Sequence, residues 1–210
     1  MHFGHLRTVL EVQEGFGLDT VYFIPSATPP HKDVDGVAGA VHRTEMLTRA
    51  IAGTPGFCLS DVELRRPGRS YTIDTVDQMA SGLDPSNECY LIVGIDAFLE
   101  IDTWKSYKLL FERISFIVMS RPPVSGENCA GQSFKGLAAF VEEKVSPGYA
   151  ADPGGKTLVH PEWRPIHLYD VTPMGIAATR IRQRVRRGES IRFLVPEAVE
   201  TYINEKRLYR

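Results

Sequence analysis

Short β-type runs alternate with longer helical patterns along this chain, and that alternation constrains the fold more than any other feature. Residues 89–93 form a continuous apolar run, and residues 115–119 form another after Ser115. Such runs are typical of strands that a parallel sheet buries on both faces. Strands that alternate with helices of about 10–15 residues indicate βαβ units with right-handed crossovers. The predicted fold class is therefore α/β, a doubly wound parallel sheet with C-terminal helices.

The same patterns predict the order of the elements. Strands are expected at 20–24, 57–64, 89–93, 115–119 and 166–171. Helices are expected at 6–16, 41–51, 72–80, 96–112, 134–145, 178–187 and 196–206, with a break near residue 102. The second helix is expected to bury one side, formed by Val41, Met46, Leu47, Ala50 and Ile51. Residues 26–39, 122–132 and 146–165 are expected to be loops, and ligands of such a sheet bind beyond the carboxyl ends of its strands.

Chain length and charge limit the domain count and the kinds of partner. At about 150 residues per domain, 210 residues predict one domain over 1–210, with a helical C-terminal part over about 177–210. Lys and Arg number 24 against 26 Asp and Glu, a formal net charge of −2. Without a global positive field, neither nucleic acid nor an anionic membrane is an expected partner. Any anion site must be local, and assembly into a homo-oligomer stays open.

Cysteine content and hydropathy indicate the cellular compartment. The three cysteines, Cys58, Cys89 and Cys129, are odd in number, and no C-x-x-C pair or zinc-type histidine spacing accompanies them. No apolar stretch approaches the roughly 18–20 residues of a membrane helix, and a signal-peptide layout is not recognisable. We therefore expect a cytoplasmic protein without membrane partners.

Two histidines flank a glycine at the start of the first predicted helix, in the order His2-Phe3-Gly4-His5. This spacing places both imidazoles on one side of the helix N-terminus, and Gly4 lets a ligand approach the backbone. A helix N-terminus attracts phosphate through its N–H groups and its dipole, and imidazoles add further donors. A phosphate site is one interpretation, and a frayed terminus with two solvated histidines is the other.

Two further segments have the chemistry of phosphate binding. Residues 25–32 follow a predicted strand and carry His31 and Lys32, which a proline-rich loop can hold over a phosphate. Residues 175–182 lie where a strand gives way to a helix, and they offer N–H groups, a hydroxyl and a guanidinium. The alternatives are a rigid surface loop and an ordinary amphipathic helix with solvated arginines.

Taken in order, these segments resemble the bacterial nicotinate-nucleotide adenylyltransferases, members of the nucleotidyltransferase superfamily marked by H-x-G-H and I-S-x-T-x-x-R. The resemblance covers essentially the whole chain and implies a Rossmann-like nucleotidyltransferase fold. The Pro-Pro-His-Lys loop, Ser-Tyr-Thr and the surroundings of Trp104 indicate the nicotinate branch. The matching positions are 2–5, 24–32, 43–47, 70–72, Thr75, Gly94, Asp96, Trp104, 121–122, 176–182 and 194–210.

The resemblance implies adenylyl transfer from ATP to nicotinate mononucleotide, giving deamido-NAD and pyrophosphate in NAD biosynthesis. Because the attacking phosphate is already anionic, catalysis would consist of aligning two polyanions and neutralising charge. The implied catalytic residues are His2, His5 and Arg182. The implied ATP-binding residues are His2, Gly4, His5, Gly94, Asp96, Ile176, Thr179 and Arg182. Mg²⁺ would bind through the ATP phosphates rather than through protein ligands.

The second substrate has its own implied residues. By resemblance, Lys32 and His31 would hold the phosphate of the mononucleotide, and Trp104 would stack on its pyridine ring. Thr72 or Thr75, with nearby N–H groups, would receive the nicotinate carboxylate. A site that offers only donors favours the acid over nicotinamide, whose amide also needs an acceptor. A core position for Trp104 is the alternative.

The chain departs from the family pattern at two places. The family begins with a strand and a G-G-x-F-x-P turn before the first histidine, where this sequence has Met1. We therefore expect a misassigned start or a truncated chain that lacks a central strand. Ala177 stands where the family carries serine, which removes one hydroxyl donor worth about 1–3 kcal/mol if its partner is left unpaired. We expect this change to weaken phosphate binding rather than abolish it.

Two other functions compete with this interpretation. One is a different enzyme of the superfamily, such as a phosphopantetheine adenylyltransferase-like protein or a cytidylyl transferase. The other is a non-catalytic nucleotide-binding remnant, which the two departures motivate. RNA binding by Arg184, Arg186 and Arg187 competes with a solvated helix face, which the net charge of −2 favours.

Overall fold

A computed structural model of the chain describes residues 1–27, 37–120 and 133–210. These residues form two compact units, a terminal unit (Met1–Ser70 with Pro173–Arg210) and a central unit (Tyr71–Thr172). The expected single domain over 1–210 stays a prediction. Of the helices in the described ranges, none has the length and apolarity needed to cross a membrane.

The elements follow the predicted alternation of strands and helices, although the strand expected at 57–64 ends at Leu59. In chain order they are α1 (Phe3–Phe16), β1 (Val21–Phe23), α2 (Ala40–Ile51), β2 (Phe57–Leu59), α3 (Thr72–Ala80), β3 (Tyr90–Gly94), α4 (Ile95–Phe98), a 3₁₀ turn (Ile101–Thr103), α5 (Tyr107–Arg113), β4 (Ser115–Ser120), α6 (Phe134–Phe140), a π-helical turn (Val141–Val145), β5 (Ala150–Ala151), β6 (Thr157–Val159), β7 (Ile166–Asp170), α7 (Ala178–Arg186) and α8 (Glu197–Glu205).

The terminal unit begins with a helix whose two ends are both capped. His2 precedes α1 in extended backbone, with φ −142°, and its side chain accepts a hydrogen bond from the N–H of His5. Gly17 ends α1 in the left-handed region, with φ 61°, where glycine has no steric penalty. The chain then enters β1, which pairs in parallel with β2, Val21 opposite Phe57. The predicted stop at Gly17 is confirmed.

The inward side of α2 differs from the predicted one at its first residue. Met46, Leu47, Ala50 and Ile51 are buried, whereas Val41 is 79% exposed. At 100° per residue, Val41 lies on the side of the helix opposite to the buried group. Its inclusion in the buried face was therefore wrong.

The first and last parts of the chain share one apolar cluster in the terminal unit. The amide of Phe3 donates to the carbonyl of Leu194 at 3.1 Å, which fixes the start of α1 against the segment before α8. The buried members are Met46, Ala50, Ile181, Ile191, Val195, Val199, Tyr202 and Ile203, with Met1, Leu6, Ala38, Ile176, Val185, Leu194, Leu208 and Tyr209 packed around them. Burial of these side chains stabilises the arrangement by roughly 1.5–3 kcal/mol for each large one.

The central unit contains a five-stranded sheet in the order β3-β4-β7-β6-β5. β3, β4 and β7 pair in parallel, and β6 and β5 continue the sheet in antiparallel fashion. This arrangement confirms the predicted α/β class with a parallel sheet. Around it, Phe98, Phe111 and Phe116 are fully buried and pack ring against ring, with centroids 4.7–6.1 Å apart.

Two details of the sheet correct the sequence analysis. Residues 146–165, expected to be loop, contain the β5–β6 hairpin, whose turn is held by the Asp152 carboxylate through the N–H groups of Lys156 and Thr157. In β3, expected to be buried on both faces, only Val93 is buried. Among the described strands β3 pairs only with β4, which explains its partial exposure.

Candidate functional site

The two N-terminal histidines adopt different environments although they lie three residues apart. His2 is 4% exposed, whereas His5 is exposed. Their rings stack with centroids 3.7 Å apart and an interplanar angle of 19°. The amide of His5 lies 3.4 Å from Nδ1 of His2, and a neutral ring that accepts there carries its proton on Nε2. The pair is therefore one stacked unit with a buried and an exposed member.

Gly4 lies near both the His2 ring and Ile176 of the C-terminal segment. A Cβ added at Gly4 would lie 3.0 Å from Nδ1 of His2 and 3.6 Å from Cβ of Ile176. Only a residue without a side chain fits between these groups without displacing the His2 ring. The two segments that the sequence analysis assigned to phosphate binding, 2–5 and 176–182, thus meet in the terminal unit.

The start of α7 has the electrostatics of an anion site. Ala177 occupies the N-cap position in extended backbone and makes no side-chain capping bond, as expected for an alanine in place of serine. The first turn of α7, described in full, contains no acidic residue but does contain Arg180. A cation near a helix N-terminus is unfavourable until an anion binds, because the helix dipole already places positive charge there. Thr179 is exposed and Arg182 is half-buried one turn later.

Arg182 lies near the half-buried phenol of Tyr209, close to the end of the chain. Tyr209 packs against the apolar cluster of the terminal unit, in left-handed backbone with φ 65°. Burial raises the pKa of Tyr209, and the positive charges of Arg182 and Arg43 oppose that shift. At neutral pH the phenol is therefore uncharged. The sequence analysis matched this tail to the family without assigning it a contact.

Arg43 holds the backbone on both sides of residues 28–36. Its guanidinium donates from Nη2 to the carbonyl of Ser26 at 2.5 Å and from Nε to the carbonyl of Ala38 at 3.1 Å. The amide of Ala27 in turn donates to Oγ of the buried Ser70 at 3.0 Å. The charge-assisted hydrogen bonds of Arg43 therefore fix the backbone just before and just after residues 28–36.

Several predicted positions lie outside the described residues. They are His31 and Lys32, proposed for the mononucleotide phosphate, and the Arg121-Pro122 pair matched to the family. Arg43 and Ser70 belonged to matching segments, yet no sequence pattern indicated their role. Their partners are backbone groups, which residue identity does not encode.

In the central unit, Gly94 is the last residue of β3 and Asp96 follows it at the carboxyl end of the strand, as predicted. Gly94 caps α4 with extended backbone, and a Cβ added to it would lie in open space among the described residues. Asp96 is exposed in the first turn of α4. Both residues therefore occupy a strand end at which ligands of α/β sheets bind. Their contact with adenosine stays a prediction.

The residues predicted for the pyridine ring also belong to the central unit. Thr72 is the first residue of α3 and is half-buried. Thr75 is 6% exposed, and its hydroxyl lies 3.3 Å from the carbonyl of Tyr71, to which it donates. Of the two threonines, Thr72 is therefore better placed to meet a ligand. Trp104 is partly exposed and packs against the apolar core with the rest of its surface.

A hydrogen-bonded carboxylate at the ends of β4 and β7 escaped the sequence analysis. Oγ of the buried Ser120 lies 2.5 Å from Oδ1 of Asp170, and Nζ of Lys156 lies 3.0 Å from Oδ2. These two hydrogen bonds, the one from Ser120 first, lower the pKa of Asp170. The residues are 50 and 14 positions apart in sequence, so only the parallel register of β4 with β7 brings Ser120 and Asp170 together.

Potential metal ligands do not cluster in the part of the chain that the structure describes. Among residues 1–27, 37–120 and 133–210, no group of three or more His, Cys, Asp or Glu side chains could hold a metal ion.

Comparisons with family models and with curated proteins give consistent results. A family model described as Cytidylyltransferase-like matches residues 1–184. "Probable nicotinate-nucleotide adenylyltransferase" from Citrifermentans bemidjiense is 38% identical over 209 residues, covering 100% of this chain and 93% of the relative. A protein of the same name from Desulfatibacillum aliphaticivorans is 41% identical, covering 100% of this chain and 94% of that one.

A solved structure shares the fold at much lower sequence identity. Plasmodium falciparum nicotinic acid mononucleotide adenylyltransferase, complexed with NaAD, has a TM-score of 0.70 at 14% identity, covering 100% of this chain and 91% of the other.

Proposed function

Because the chain belongs to the cytidylyltransferase-like family, in its nicotinate-nucleotide adenylyltransferase branch, we propose that it transfers an adenylyl group from ATP to nicotinate mononucleotide. The phosphate of the mononucleotide attacks the α-phosphorus of ATP, a new P–O bond forms, and pyrophosphate leaves. The product is deamido-NAD, an intermediate of NAD biosynthesis. The observation that carries this proposal is the full-length similarity to relatives of that name at 38–41% identity.

The terminal unit would hold the triphosphate of ATP. The proximity of Gly4 to both His2 and Ile176 supports one phosphate site built from the starts of α1 and α7. The exposure of His5 supports a direct contact with the α-phosphate, and the burial of His2 supports a role in positioning His5 through the stacked rings. Arg182 and Thr179 would bind the β- and γ-phosphates. Donors fixed in this way stabilise the charge that develops during transfer.

Mg²⁺ would reach the site with ATP. The ion would be bound mainly by phosphate oxygens and water. When bound, the ion would neutralise charge on the phosphates. The chain's own part is to orient the two substrates, with Gly94 and Asp96 at the adenosine.

Nicotinate mononucleotide would be held by Lys32 and His31 at its phosphate and by Trp104 at its ring. The partly exposed surface of Trp104 supports stacking, and the half-buried Thr72 at the start of α3 supports contact with the carboxylate. Thr75 would support this end of the site from within the helix. We place the reaction in the cytoplasm without nucleic acid or membrane partners, and a homo-oligomer is compatible with the proposal.

The test is product formation by the purified chain. With ATP, Mg²⁺ and nicotinate mononucleotide, we expect deamido-NAD by mass spectrometry and equimolar pyrophosphate. Parallel reactions with CTP, or with phosphopantetheine as acceptor, are expected to give no product. ATP binding without pyrophosphate release would instead identify a nucleotide-binding remnant.

Two variants of α7 connect the activity to the site. Arg182→Ala is expected to lower turnover by about 10² because a preorganised cationic donor is lost. Arg186→Ala removes an exposed arginine one turn later on the same helix and is expected to leave turnover unchanged. Equal effects of the two substitutions would contradict the assignment of Arg182.

A further inference from the structure

The first turn of α3, whose first residue Thr72 is proposed to meet a carboxylate, also contains a negative charge. Asp74 lies two residues after Thr72, and its side chain is 35% exposed. A carboxylate there stabilises the helix through the dipole, but it also repels a second anion nearby. A site that prefers an acid over its amide therefore needs this charge to be neutralised.

Lys105 supplies the neutralising charge. Its Nζ lies 2.9 Å from Oδ1 and 3.0 Å from Oδ2 of Asp74, so both carboxylate oxygens accept from one ammonium group. The same Nζ lies 4.7 Å from the centroid of the Tyr71 ring, within the range of a cation–π contact. Lys105 directly follows Trp104, and it thereby joins the turn that carries Trp104 to the first turn of α3.

We propose that Lys105 is a specificity-determining positioning residue, which cancels the charge of Asp74 and so lets this end of the site accept an acidic mononucleotide. The inference rests on the proposed function and adds to it the residue pair that controls acid-over-amide selection. Lys105 acts through Asp74 rather than by touching the substrate. Its effect is on binding of the pyridine end and not on the transfer step at phosphorus.

The experiment compares nicotinate mononucleotide with nicotinamide mononucleotide in four proteins, the wild type, Lys105→Met, Asp74→Asn and the double variant. In Lys105→Met the uncompensated Asp74 is expected to lower the acid-to-amide ratio of kcat/KM by about fivefold, the scale of a partly exposed charge pair. The change is expected in KM for the acid, with kcat preserved. The double variant is expected to recover the wild-type ratio, since both charges are gone.

The Asp74→Asn variant separates charge from mechanical support. It breaks the same ion pair as Lys105→Met but leaves a positive charge, so its acid-to-amide ratio is expected to equal or exceed that of the wild type. If the ion pair gave only mechanical support, both single variants would lower the acid-to-amide ratio equally, and the double variant would not recover it. That pattern overturns the proposal, as does an unchanged ratio in Lys105→Met.

Salt and a second ion pair provide controls. Raising the ionic strength from about 0.05 M to 0.5 M shortens the screening length several-fold, so the defect of Lys105→Met is expected to shrink. Arg113→Met removes an ion pair to Asp77, with 3.6 Å between Nε and Oδ1, one turn further along α3. Its acid-to-amide ratio is expected to match that of the wild type.

If the wild type makes no dinucleotide from either substrate, the proposed function itself fails. That result differs from an active enzyme in which Lys105→Met leaves the acid-to-amide ratio unchanged, which would overturn only the present inference.

Discussion

Replacing Gly4 with alanine tests whether the stacked histidines must keep their position. The added Cβ would lie 3.0 Å from Nδ1 and 3.1 Å from Cε1 of His2, and ordinary contacts begin near 3.5 Å. The His2 ring must therefore retreat by about 0.5 Å. Because this ring is 4% exposed and stacks on His5 with 3.7 Å between centroids, the displacement reaches His5 as well.

The expected loss of activity follows from that displacement. A misplacement of about 1 Å can lower a rate by about 10²-fold, so half of it corresponds to about tenfold in kcat. Overpacking costs about 1–3 kcal/mol of unfolding free energy, and the better helix propensity of alanine returns up to about 1 kcal/mol. We therefore expect a modest fall in Tm together with the larger fall in kcat.

The assay is pyrophosphate release at saturating substrates, with Tm measured on the same samples. Gly82→Ala is the matched control, because its added Cβ would meet its nearest atom, the carbonyl oxygen of Met79, at 3.7 Å. We expect wild-type kcat for this control. A Gly4→Ala protein with wild-type kcat would refute the argument that His2 and His5 act as one tightly placed unit.

Two further predictions concern bonds found only in the structure. Arg43→Ala removes the hydrogen bonds to the carbonyls of Ser26 and Ala38, which lie on either side of the proposed phosphate ligands His31 and Lys32. We therefore expect KM for nicotinate mononucleotide to rise about tenfold in steady-state kinetics while KM for ATP changes little. Ser120→Ala removes the main cause of the lowered pKa of Asp170, and we expect a loss of about 0.5–1 kcal/mol in unfolding free energy at pH 7, the carboxylate being largely exposed. A lowered pKa stabilises the fold only while the carboxylate is ionised, so denaturant titrations should show this difference disappearing as the pH falls through the pKa of Asp170. A difference that persists in acid would contradict this explanation.

Elements with strong local signals could be predicted from the sequence. The bounds of α3 were predicted to the residue, the end of α1 at Gly17 follows from backbone geometry, and the break near residue 102 corresponds to a 3₁₀ turn between α4 and α5. The β5–β6 hairpin was missed because its strands are only two and three residues long, and a side-chain carboxylate, Asp152, forms its turn. Short strands carry too little periodicity to recognise.

The residues of the candidate site also differ in how far the sequence alone indicates them. Donors at predicted helix starts indicated phosphate chemistry, and the resemblance to the family selected His2, Gly4, His5 and Arg182 for it, which stays a prediction. The difference in burial between His2 and His5 is not encoded in the local sequence, because the surroundings of Gly4 include Ile176, far away in sequence. The Lys105–Asp74 pair joins residues 31 positions apart, and nothing in either residue type indicates the other.

The division of the chain into units has a consequence for its synthesis on the ribosome. Residues 71–172 are contiguous, whereas the terminal unit combines 1–70 with 173–210. At about 5–20 residues per second, the segment carrying His2 and His5 waits on the order of ten seconds for the partners of its apolar side chains to emerge. During that interval the middle of the polypeptide can already fold, while the leading segment is open to chaperones and proteases. On the proposed function, the phosphate site that combines residues 2–5 with residues 176–182 is therefore complete only after the second of these segments has been synthesised.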